Sequence, residues 1–349
     1  MSTAVTPLGE PPPGGPGGSG GGARQRVAVV GAGRMGHGIA YLFAAAGHEV
    51  GLYDADHTVL ADARTRMAAA AATLGRDPAE IERVRFERDV ARAVADADFV
   101  IEAVPEWLSS KQEVLEQVEG LVSKTTVLAT NTSAFPIARV TARLHHRERA
   151  LGTHFWNPPH LVSLVEVVQA PSTSEVTVAR TMALLADAGK RPVHLRRDVP
   201  GFVGNRLQHA LKREAIALVA EGVCDAETID VVVKEGFGPR LAVLGPLEQS
   251  DLVGLDLTLS IHRTLMPDLD RTAEPHPLLV KLVGEGKTGM VAGEGFREWT
   301  APQAEAAQRR LDDFLASRAR AEAARAPARA AEESDDDSQS TSGTTGGAS

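Results

Sequence analysis

Residues 26–54 read RVAVVGAGRMGHGIAYLFAAAGHEVGLYD, and this stretch decides the fold. A short β-branched run leads into Gly31-Ala32-Gly33-Arg34-Met35-Gly36, and a small-residue helical segment follows through Ala46. Gly47 closes that segment as a C-terminal glycine does, and HEVGLY opens a second strand. The glycines permit a tight turn, close approach of backbone to a pyrophosphate, and close helix-to-strand packing. The helix N-terminus offers its free N–H groups to the phosphates. Asp54 ends the second strand, 18 residues past Gly36. An Asp there accepts from the adenosine ribose hydroxyls and repels a 2′-phosphate, which points to NAD rather than NADP. Gly31, Ala32, Gly33, Arg34, Met35, Gly36 and Asp54 are therefore the expected cofactor-binding residues.

Outward from this unit, strands and helices alternate. Asp56 to Leu74 reads as a helix, Asp98 to Ala103 as a buried strand, Ser109 to Val122 as a helix and Thr125 to Thr130 as a strand. Strands separated by helices imply parallel βαβ units. Asp198-Val199-Pro200-Gly201 breaks the pattern, and the chain from there to about Leu315 reads as helix. Val203, Leu207, Ala210, Leu211 and Leu218 share one face of the first of these helices, and others start near Asp225 and Pro246. The expectation is a Rossmann-type α/β domain over 25–200 and an all-helical domain over 201–316. Disordered tails are expected over 1–24, rich in Gly and Pro, and over 317–349, where Ala/Arg gives way to acidic and polar residues.

The chain has 349 residues, enough for two domains, and its 37 Lys and Arg against 46 Asp and Glu give a net charge of −9. Glu10, Glu332, Glu333, Asp335, Asp336 and Asp337 lie in the tails, which leaves the folded part weakly acidic. A nucleic-acid binder carries a basic surplus, so none is expected as partner. No Cys/His cluster has metal-ligand spacing, and the single Cys224 has no internal partner, which fits a reducing compartment. No apolar run approaches a membrane span, and the N-terminal residues lack a signal-peptide core. A cytoplasmic protein without membrane contact is the expectation.

Chemistry concentrates in GTHFWNPPHLVSLVEVV, residues 152–168, where two strands flank a connection too short for a helical crossover. A hairpin folded about His160 sets His154 opposite Glu166. Facing side chains in such a pair are close enough for a carboxylate to hold one imidazole nitrogen and raise its basicity, leaving the other nitrogen to take a proton. Glu166 otherwise stands in the apolar run LVEVV, where an unpartnered carboxylate would cost several kcal/mol. A purely structural His/Glu pair would satisfy the same pattern. His145 and His146 read as a solvated helix end, and His160 as a surface turn residue. Ser133 and Glu106 follow strand ends, where open α/β sheets bind ligands, although Ser133 reads equally well as a turn or cap hydroxyl.

GAGRMGHGIA, IEAVPE, NTSAFPI, THFWNPPHLVSLVEVV, DVPGFVGNRL and GEGF, in that order, resemble the successive motifs of the L-3-hydroxyacyl-CoA dehydrogenase family. The resemblance implies a nucleotide-binding domain, a helical dimerisation domain and a homodimer, with NAD as cofactor and 3-hydroxy to 3-keto oxidation of an acyl-CoA, as in fatty acid metabolism. It implies that His154 is the general base and Glu166 its orienting partner, with Ser133 and Asn205 positioning the substrate oxygen and His154. It places Asn157 in the same cleft, and Glu106 and Lys111 near the nicotinamide half of the cofactor.

Other features point to a smaller substrate. The segment AAAAATLGRDPAEIER lacks the lysines with which the acyl-CoA enzymes meet the CoA nucleotide, and Arg76 is its first cation. NRLQHALKREAIALVAEG and GFGPRLAVLGPLE are similar to the lambda-crystallin and L-gulonate dehydrogenase-like branch, and THFWNPPHLV to a branch oxidising a pyridine-ring substrate. A dehydrogenase of a free hydroxy acid such as gulonate or carnitine is thus the alternative. Arg206, Lys212 and Arg240 are its candidate carboxylate partners, Arg240 favoured. A catalytically silent, crystallin-like NAD-binding protein is the second alternative.

Overall fold

The computed structural model describes residues 24–340. The expected N-terminal tail, Arg24 apart, and residues 341–349 lie outside the described residues. Of the described residues, those up to 132, 137–198 and from 315 onward form one compact unit, and 133–136 with 199–314 form a second.

The first unit carries eight strands: β1 (Arg26–Val30), β2 (Glu49–Tyr53), β3 (Val84–Glu87), β4 (Phe99–Glu102), β5 (Val127–Thr130), β6 (Ala150–Phe155), β7 (Leu164–Val168) and β8 (Arg191–Leu195). They form one sheet in the order β3-β2-β1-β4-β5-β6-β7-β8. Every neighbouring pair is parallel except β6 and β7. The helices of this unit are α1 (Gly36–Ala45), α2 (His57–Leu74), α3 (Val90–Val94), α4 (Leu108–Glu119), α5 (Ile137–Val140) and α6 (Glu175–Asp187). Residues 27–30 of β1, 99–101 of β4 and 127–129 of β5 are buried apolar runs because both faces of the central sheet are covered. Caps fix where helices begin: Asp56 accepts from Thr58 N–H at 2.8 Å to start α2, and Ser174 accepts from Thr177 N–H at 3.2 Å to start α6. Gly75, at φ 68°, ends α2.

β3 and β8 stand at the two edges of the sheet, and the sequence reading anticipates neither. Each is short and half-exposed, with Arg85 in one and Pro192 and His194 in the other, so neither carries an apolar run. Proline is tolerated at an edge, where its missing N–H breaks no ladder.

The second unit contains α7 (Gly204–Ala220), α8 (Ala226–Val231), α9 (Gly238–Leu241), α10 (Pro246–Val253), α11 (Leu255–Leu265), α12 (Pro277–Gly284) and the beginning of α13 (Ala301–Ser340). The break at Val199–Gly201 is a turn with Gly201 and Phe202 both in the left-handed region, at φ 72° and 52°. Among the described residues of this unit only Phe202 and Ala217 are buried. Val203, Leu207 and Leu211, on the anticipated apolar face of α7, are exposed, as are Leu255, Leu259 and Ile261 of α11. Residues 317–340, assigned to the C-terminal tail by composition, carry helical backbone continuous with α13, which their alanine content favours.

Gly51 of β2 meets α3 so closely that an added Cβ would lie 2.1 Å from the Ala93 carbonyl oxygen. Gly51→Ala is expected to destabilise the fold by about 1–3 kcal/mol or more, as overpacking against backbone does. Urea unfolding checks this, and an unchanged midpoint would refute the contact.

Candidate active site

Parallel strands bring their carboxyl ends to one edge of a sheet, so the residues following β1, β4, β5 and β6 share an edge. At β1 the chain enters the glycine loop. Gly31 has φ 106°, and a Cβ there would lie 2.6 Å from the Ala103 carbonyl oxygen. A Cβ on Gly36 would strike the Gly31 carbonyl oxygen at 1.6 Å. Gly33 is different: a Cβ would meet nothing within 4 Å, so this glycine leaves open space at the helix entrance. These are the demands of a phosphate cradle, with two glycines forced by backbone crowding and one keeping its face clear.

The loop is braced from several sides. Gly31 N–H donates to the Tyr53 carbonyl at 2.8 Å, and Asp54 accepts from Ala32 N–H at 2.7 Å and Asp56 N–H at 2.9 Å. The Arg66 guanidinium donates to the Ala32 carbonyl at 3.1 Å. His37 Nδ1 donates to the Gly33 carbonyl at 2.7 Å, and burial holds this imidazole below its ordinary pKa. Arg34 is exposed, and Met35 packs onto the core at the start of α1. The sequence anticipates Asp54 here but not Arg66 or His37, whose spacing follows no motif.

Beyond β4 lies a buried charge cluster. Glu102 is 0% exposed and Lys111 of α4 is 1% exposed, and they pair at 2.9 Å. Lys111 also pairs with Glu106 at 3.2 Å, and Thr132 donates its hydroxyl to Glu106 at 2.5 Å. Burial pushes the Glu102 carboxyl up, while the Lys111 ammonium, the Thr130 hydroxyl and Val104 N–H pull it back. The two residues singled out in the sequence, Glu106 and Lys111, are thus paired directly, and Glu102, which sequence reasoning passed over, holds the same lysine.

At β6 and β7 the register is as anticipated, with His154 facing Glu166. Both are buried, and His154 Nδ1–H donates to Glu166 Oε2 at 2.7 Å. Nδ1 must be the donor, because a carboxylate only accepts. Asn131, at the end of β5, accepts from Phe155 N–H at 2.9 Å and ties that strand end beside His154, a role no sequence signal announced. The Trp156 ring lies 5.5 Å from the imidazole. Asn157 is exposed in the following connection. His160, expected at the surface, is instead half-buried, because Gly38 leaves room for it and Pro159 on α1.

The remaining candidates fall in the second unit. Asn205 Nδ2 donates to the Ser133 carbonyl at 2.9 Å, so these two are brought together. Arg240 is exposed on the short helix α9.

A glycine cradle, an acid after the second strand and a buried His/carboxylate pair at the same sheet edge define a dinucleotide-dependent oxidoreductase. The family model 3-hydroxyacyl-CoA dehydrogenase, NAD binding domain, matches residues 26–199, and its C-terminal domain counterpart matches 201–299. The chain is 37% identical over 289 residues to a 5-formyl-3-hydroxy-2-methylpyridine 4-carboxylate 5-dehydrogenase of Mesorhizobium japonicum, covering 81% of this chain and 94% of that one. It is 37% identical over 283 residues to a probable 3-hydroxybutyryl-CoA dehydrogenase of Bacillus subtilis, covering 79% and 97%. A crystal structure of a 5-formyl-3-hydroxy-2-methylpyridine 4-carboxylic acid 5-dehydrogenase, described as an NAD+-dependent dismutase, matches with TM-score 0.80 and 35% identity over 86% of this chain and 98% of that one. The protein belongs to the 3-hydroxyacyl-CoA dehydrogenase family. It is an NAD-dependent oxidoreductase acting on a CH–OH group.

Removing one member of a buried ion pair strands the other. Lys111→Met is therefore expected to destabilise the protein by about 3–5 kcal/mol, and Glu102→Gln in the same chain to recover much of the loss. Urea unfolding of the single and double variants measures both, and an equally unstable double variant would refute the pairing.

Proposed function

We propose that the protein oxidises the 3-hydroxyl of a 3-hydroxyacyl-CoA to the ketone, with NAD, as an enzyme of fatty acid metabolism. The observation that carries this reading is the buried 2.7 Å bond between His154 Nδ1 and Glu166. It fixes the tautomer, so Nε2 carries the lone pair and is the atom that takes the hydroxyl proton. When bound, NAD accepts the hydride from the carbinol carbon. His154 supplies a general-base contribution of about 10² to 10⁴ in rate, and Glu166 stabilises the imidazolium that forms. Ser133 and Asn205 are read as orienting the substrate oxygen, Asn157 as a substrate contact, and Glu106 with Lys111 as lining the nicotinamide side. The glycine loop and Asp54 take the pyrophosphate and adenosine ribose.

One observation favours a smaller substrate. The cations around α2 are already engaged: Arg64 with Glu82 at 2.8 Å, Arg66 with Asp62 at 3.0 Å and Arg76 with Glu80 at 2.7 Å. A CoA phosphate would have to compete with those carboxylates. On this second reading a free carboxylate substrate is held by Arg240.

An NADH-formation screen over 3-hydroxybutyryl-CoA, L-gulonate, carnitine and aromatic alcohols decides between them. Turnover is expected on the CoA ester. Turnover on free acids alone transfers the proposal to the second reading. With the preferred substrate, His154→Gln is expected to lower kcat about 100-fold or more with NADH affinity unchanged, and Glu166→Gln to lower it less. Full activity in the His154 variant overturns the assignment of the base.

The exposed apolar residues of α7 and α11 support a homodimer built through the helical unit, symmetric dimers being the commonest outcome of such a face. Light scattering at micromolar concentration is expected to give twice the chain mass, and a monomer mass refutes it. No described helix is long and apolar enough to cross a membrane. The single cysteine, Cys224, suits a reducing compartment, and on that ground we read the location as cytoplasmic.

A further inference from the structure

We propose that Lys190 is a positioning residue, whose ammonium fastens the connection between β6 and β7 against the cofactor helix α1 and thereby sets His154. The inference rests on the reading of His154 as the base. Because β7 and β8 run opposite to β6, the residue preceding β8 lies level with the start of β7, at the edge that carries the glycine loop and His154. That residue is Lys190. Its Nζ donates to the Pro159 carbonyl at 2.6 Å and to the Val162 carbonyl at 2.9 Å. The next residue continues the contact, since Arg191 N–H donates to the Ser163 carbonyl at 2.9 Å.

The chemistry of the connection explains why an external donor is required. Residues 156–163 read WNPPHLVS, and Pro158 and Pro159 contribute carbonyls without N–H groups. Within the connection, Leu161 and Val162 both donate to the Pro158 carbonyl at 3.1 Å, and the carbonyls of Pro159 and Val162 are taken by the lysine. An ammonium has three donors and a flexible stem, so one side chain bridges two acceptors. Burial pulls this ammonium down to about pKa 8, with Glu322 acting in the opposite direction.

From the other side the connection is stopped by α1. A Cβ on Gly38 would lie 2.7 Å from Pro159 Cγ, so proline and glycine interlock. The connection is thus held between Lys190 and the helix whose first turn faces the cofactor. Its first residue, Trp156, contacts the His154 ring, and its two ends continue into the strands that carry His154 and Glu166. Displacements of an ångström at a general base are costly in rate.

The test is hydrogen–deuterium exchange and steady-state kinetics on Lys190→Met and Lys190→Arg. In the Met variant the Leu161 and Val162 amides are expected to exchange at least tenfold faster, with β1, β4 and β5 unchanged. kcat/KM for the alcohol that the wild type oxidises is expected to fall at least tenfold, with NADH affinity within twofold and the Arg variant intermediate. Unchanged exchange in the connection overturns the proposal. So does faster exchange with unaltered kcat/KM, or faster exchange spread over the whole sheet, which would make the lysine a general stabiliser. If the Met variant does not fold, the Arg variant carries the same readouts. A wild type inactive on every alcohol tested counts against the functional reading, and the exchange measurement then decides the pin on its own.

Discussion

β7 lies between β6 and β8, and the Glu166 carboxylate on it has no route to solvent. A carboxylate there must find its hydrogen bonds inside the protein, because burying it without them costs several kcal/mol. The partner is His154, available only because β6 and β7 are antiparallel and in one register. Slipping the pairing by one residue would turn Glu166 to one face and His154 to the other. The Asn131 bond to Phe155 and the ladder between β5 and β6 hold that register from the far side. The reversal between β6 and β7 also returns the chain so that β8 begins, rather than ends, at the edge where the chemistry lies.

The same edge carries a second buried acid, Glu102. Glu166 accepts a hydrogen bond from the Nδ1–H of an imidazole. Glu102 is neutralised by Lys111, with Thr130 and Val104 N–H filling the remaining acceptor positions. The first pair joins β6 to β7. The second extends through Lys111 to Glu106 and ties β4, β5 and α4 together.

Much of this was legible in the sequence, for physical reasons. The glycine fingerprint reports backbone crowding, which the chain cannot meet with other residues at positions 31 and 36. The His154–Glu166 pairing was legible because a short antiparallel connection fixes partners by counting, and because a charge in an apolar strand asks for one. Glu102 gave the same signal in FVIE, but its partner sits on a separate helix and is reached only through the tertiary fold. The edge strands β3 and β8 were illegible because half-exposed strands do not need apolar runs. Lys190 was illegible because its acceptors are backbone carbonyls, which leave no mark on composition.

The bracing of the glycine loop has a consequence for how the cofactor arrives. The peptide groups around Ala32 and Gly33 are held by the protein's own Asp54, Arg66 and His37. Little conformational entropy is left to be lost there on association, so the phosphates meet a cradle that is set beforehand rather than one that closes over them. Encounter is then governed by diffusion and orientation of the dinucleotide, and differences in affinity among loop variants reside chiefly in how fast it leaves.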